Sequence, residues 1–101
     1  MTLQEWLDAR EPAQPPELAR RIAELASRGE GGDIASQLLD AGERALRAIL
    51  ITGSDTRESA LDVLAIDALV TYAFEAAAQE PRRIPVLAAD AMTRLSHSTG
   101  A

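Results

Sequence analysis

Three polar side chains, Asp67, Thr71 and Glu75, stand four residues apart inside the most apolar stretch of this chain. On a helix that spacing stacks them along one face. A carboxylate in such surroundings ligates a metal, holds an arginine, accepts hydrogen bonds or carries a proton. A carboxylate-bridged metal centre in a helical bundle needs several inward acids and usually a Glu-x-x-His motif. The chain lacks that motif, and His97 is its one histidine. With no cysteine, disulfides, thiolate metal sites and cysteine nucleophiles are excluded. No serine stands with a histidine and an acid in a credible triad. The residue chemistry therefore favours a non-enzymatic protein that needs no cofactor. In that reading Asp67, Thr71 and Glu75 form the exposed edge of their helix, or are buried polar groups with Asp67 completed by Arg44 or Arg47. The alternative is a small-ligand or metal-binding bundle that uses Asp67 and Glu75.

A second chemical possibility is the run Gly29-Glu30-Gly31-Gly32-Asp33, because glycines ahead of a helix N-terminus can cradle phosphate. Here no strand precedes them, the chain has no lysine, and Glu30 and Asp33 repel an anion. The run reads as a turn, with Gly29 ending one helix and Asp33 capping the next. Sixteen acids against ten arginines leave a net charge of −6, which opposes the attraction that drives binding to nucleic acid or anionic membranes. The opening MTLQEWLDAR is no secretory signal, and no run reaches the roughly 18 apolar residues of a membrane span. A cytoplasmic location is the expectation.

One stretch resembles a known family. Ile66-Asp67-Ala68-Leu69-Val70-Thr71-Tyr72-Ala73-Phe74-Glu75 is similar to the helix sequence GDALLTLAFE of trans-isoprenyl diphosphate synthases, and Ala41-Gly42-Glu43-Arg44-Ala45-Leu46-Arg47 to their GGKRLRP. The resemblance covers about a sixth of the chain. It implies an all-α fold and, at most, the remnant of such an enzyme. Glu43 replaces the diphosphate-binding lysine and no DDxxD motif is present, so the activity is not carried over.

The elements that position these residues follow from apolar periodicity. Thr2 and Glu5 form a capping box for a short helix over 3–9, whose face of Leu3, Trp6 and Leu7 must dock through Trp6. Pro12, Pro15 and Pro16 interrupt the chain before a helix over about 16–28 carrying Leu18, Ile22 and Leu25. A third helix over about 34–51, ended by Gly53, turns Leu38, Ala45, Leu46, Ile49 and Leu50 inward, with Asp40 to Arg44 and Glu43 to Arg47 pairing outside. A fourth over about 55–79 is capped by Asp55 and stopped by Pro81. It carries two apolar stripes, one of Leu61, Leu64, Ala65, Ala68, Leu69, Tyr72 and Ala76 and one of Val63, Ile66, Val70, Phe74 and Ala77. A fifth over about 85–96 presents Leu87, Ala91 and Leu95.

The fold class is thus all-α, a compact bundle of four to five helices in a single domain over 1–101. A helix apolar on two sides is surrounded by other helices or shared with another chain. The functional expectation is a protein–protein interaction or self-association module, most simply a two-fold homodimer. Its interface would comprise Val63, Ile66, Val70 and Phe74, with Leu87 and Leu95 from the fifth helix.

Overall fold

The computed structural model describes residues 1–53, 57–79, 82 and 84–98. It contains five helices, α1 (Leu3–Asp8), α2 (Pro16–Ala26), α3 (Ile34–Thr52), α4 (Arg57–Ala78) and α5 (Ile84–Ser98). The fold is all-α, with no strand among the described residues. The caps have local causes. Thr2 Oγ1 accepts the Glu5 N–H at 3.1 Å while the Glu5 carboxylate accepts the Thr2 N–H at 3.3 Å, the reciprocal arrangement that satisfies two orphan donors. Asp33 accepts the Ser36 N–H at 2.8 Å and so caps α3. Gly53 ends α3 at φ 91°, a conformation open to glycine and costly for other residues. The cap expected from Asp55 and the stop expected from Pro81 lie outside the described residues.

One expected stop is different. Helix α2 ends at Ala26, with Ser27 as its C-cap, so Gly29 is not what terminates it. A Cβ on Gly29 would lie 2.1 Å from the Gln37 carbonyl oxygen. The glycine is there because the α2–α3 connection runs directly against the first turns of α3.

Only residues 53–56 join α3 to α4, so α4 returns antiparallel along α3. Gly42 sits on this seam, where an added Cβ would meet Val70 and Leu69. Ala41, Ala45, Ala65, Ala68 and Ala73 are buried around it, and such small side chains let two helices approach closely. Leu38 and Leu69, both without exposed surface, fill the centre. Helix α2 adds Ile22 and Leu25 and is tied to α4 by a bidentate pair from Arg21 to Asp62.

Helix α1 docks as its sequence predicts. Trp6 is 2% exposed and meets the edge of the Tyr72 ring at 5.9 Å between centroids, 73° between planes. The Arg10 guanidinium lies 3.8 Å above the indole, and Gln14 donates to the Tyr72 hydroxyl at 3.0 Å. The molecule measures 37 × 35 × 19 Å. Its least dimension matches about two helix diameters of 10–12 Å, so α4 cannot be wrapped on every side.

Candidate functional site

Asp67, Thr71 and Glu75 are all exposed. The inward face of α4 runs through Ala65, Leu69, Tyr72 and Ala73, which turns the polar line to solvent as the helix edge. The expectation of a buried polar set is corrected on that geometry. Nor is Asp67 completed by Arg44 or Arg47, because those guanidiniums bind Asp40 and Glu43 on their own helix. Glu75 lies 3.7 Å from Arg10, a link between α4 and the chain just after α1. No group of three or more His, Asp or Glu suited to a metal occurs among the described residues. None of the helices is long and apolar enough to cross a membrane.

The apolar residues divide differently. Val63 is 50% exposed and Leu95 48%, while Ile66, Val70 and Phe74 are half-buried. Leu87 is 5% exposed and belongs to the core, so it is withdrawn from the candidate interface. Leu50, expected to face inward, and Leu64, on the first apolar stripe of α4, are both exposed. Together with Met92, 73% exposed on α5, they leave much apolar surface open on this thin molecule.

The third feature was misread from sequence. Asp40 and Glu43, expected on the outer face of α3, are both buried. Their pairings with Arg44 and Arg47 do form, but under α5 rather than in open solvent. Asp40 Oδ2 accepts from Arg44 Nε at 2.6 Å and from the Glu30 N–H at 2.7 Å, and Oδ1 accepts from Arg94 at 2.7 Å. Burial pushes the Asp40 carboxyl upward, yet the Glu30 N–H and the two guanidiniums outweigh it and hold the group below the usual aspartate range. Arg94 also binds Asp90 at 2.9 Å, and the two carboxylates raise its own pKa. Nothing in the sequence warned of this burial, because the residues that share a helix face with Asp40, namely Ser36, Gln37, Glu43 and Arg44, are all polar. Its partner Arg94 lies 54 positions away in the chain.

These groups border an open cavity of about 270 Å³ lined by Asp40, Glu43, Arg44, Arg47, Arg94 and His97. Each guanidinium in it is already held by a carboxylate, so the cavity offers no uncompensated positive charge for an anion. Glu43, at the position of the diphosphate-binding lysine in the motif it resembles, is bonded to Arg47 and adds negative charge where a diphosphate would need the opposite. A smaller cleft of about 180 Å³ lies under the N-terminal segment between Gln4, Arg10, Gln14, Ile22 and Tyr72. No protein-family model matches the chain, and neither a characterised protein nor a solved structure is significantly similar to it.

Proposed function

We propose that this chain is a non-enzymatic helical interaction module that associates with a second copy through the open apolar edge of α4 and α5. The observation that carries the reading is the exposure of Val63, Leu95 and Met92 beside the half-buried Val70 and Phe74. Apolar side chains bordered by the exposed line of Asp67, Thr71 and Glu75 have the anatomy of an interface, an apolar centre with a polar rim. A two-fold dimer uses one such patch twice and closes without leaving a free edge.

Light scattering across a size-exclusion column tests this at micromolar concentration. The expected mass is twice 10.8 kDa, and a wild-type mass of 10.8 kDa overturns the reading. Phe74→Glu is expected to give the monomer, since an unpaired charge would enter the contact. Phe74 also packs on the core, so Val63→Glu, at a half-exposed position, serves as the second variant. A dimer that survives both substitutions places its interface elsewhere.

A further inference from the structure

We propose that α5 is a detachable strap, which leaves and re-docks as a unit while α1 to α4 stay folded, and that Arg94 bound to Asp40 is its latch. The inference does not depend on self-association. Leu87 is the one buried side chain of α5 among the described residues, and Ala91 is partly buried and packed against the core. The outer side chains Val86 and Met92 are mostly exposed and contribute little to docking, and Leu95 is about half covered. Towards its C-terminal end α5 meets α3 around the ionic cavity, with Arg94 and His97 opposite Asp40, Glu43 and Arg47. One buried leucine, small partly buried alanines and one ion pair thus hold a helix of 15 residues.

The latch is built so that opening strands no charge. Breaking a buried pair is severe when it leaves one ion uncompensated. Here Asp40 keeps the Glu30 N–H and Arg44 on Oδ2 when Arg94 departs, and the freed Oδ1 meets the water that enters. Arg94 keeps Asp90 on its own helix. Each half of the latch therefore carries a resident partner, and a partly exposed pair of this kind is weakened by salt.

Hydrogen exchange followed by mass spectrometry tests the strap on the full chain, in wild type and in the Val63→Glu variant, so that association cannot mask opening. The amides of α5 are expected to exchange roughly tenfold or more faster than those of α3 and α4, as a cooperative unit of lower stability does. Raising NaCl to about 1 M, where the screening length falls to about 3 Å, is expected to speed α5 further and leave α3 and α4 unchanged. Arg94→Ala is expected to do the same at low salt, whereas Val86→Ala on the outer face is not. If Arg94→Ala fails to fold, the salt series on wild type decides. Exchange of α5 in step with α3 and α4 overturns the strap, and fast exchange indifferent to both salt and Arg94 overturns the latch.

Discussion

The two ends of the chain are attached by opposite means. Helix α1 has six residues, too few to be stable alone, yet it is held by a buried indole with an aromatic edge on one side and a guanidinium on the other. Helix α5 is more than twice as long and buries one leucine, with an ionic cavity where further packing would be. Length therefore does not decide which terminal helix is firmly docked. The volume of side chain removed from water does, because burial free energy grows with apolar area, whereas an ion pair near solvent returns little beyond its desolvation.

Substitutions at the two anchors break or sharpen this contrast. The largest effect belongs to Trp6→Ala, expected to cost about 3–4 kcal/mol through lost transfer energy and the cavity left behind. Urea unfolding followed by circular dichroism measures it, and a loss under about 1 kcal/mol would place α1 among the loosely attached parts. Trp6→Phe is expected to cost less. The indole Nε1 is buried without a hydrogen-bond partner among the described residues, so the change removes volume and no hydrogen bond.

Asp40→Asn comes next. It leaves Arg44 and Arg94 without their shared carboxylate, and about 2 kcal/mol is the scale for hydrogen bonds to a charged group. The pH dependence has a definite sign. The folded-state pKa of Asp40 lies below its ordinary value, so its stabilisation is present above the ordinary aspartate range near pH 4 and is lost as pH falls through the folded value. The stability gap between wild type and Asp40→Asn should be constant near neutrality and close below about pH 4. A gap that persists at lower pH would mean that the carboxylate charge is not what holds this site.

The smallest effect is at Tyr72→Phe, which keeps the ring contact with Trp6 and removes the hydroxyl that receives Gln14. About 1 kcal/mol or less is expected, since a net protein hydrogen bond is worth about that much. A much larger loss would make the polar clasp, not the aromatic contact, the anchor of the N-terminal segment.

The local elements were legible because their causes are local. The Thr2–Glu5 box, the Asp33 cap and the Gly53 stop involve residues within a few positions of one another, and each forms where the spacing predicts. The Trp6 anchor was legible because α1 has a single apolar face and Trp6 is its only large member. Candidate site residues were less legible. Asp67 drew attention for being acidic in an apolar helix, but on α4 it falls on the one arc that no neighbour covers. Asp40 looked like half of a routine i,i+4 surface pair, and only the crossing of α5 over α3 turns it inward.

By itself the sequence determined that this chain is all-α, where three of its helix ends are capped or stopped, and that its N-terminal helix hangs on Trp6. Those outcomes depend on hydrogen bonds and periodicities within a turn or two of the chain, which neighbouring residues carry in full. Only the tertiary structure decided which residues of the two apolar stripes on α4 are buried, that Leu87 is core while Leu95 is surface, and that Asp40 bridges the α2–α3 connection, α3 and α5. A helical face is buried or exposed according to what crosses it. That choice is set by the packing of elements far apart in the chain, and a single helix sequence does not record its neighbours.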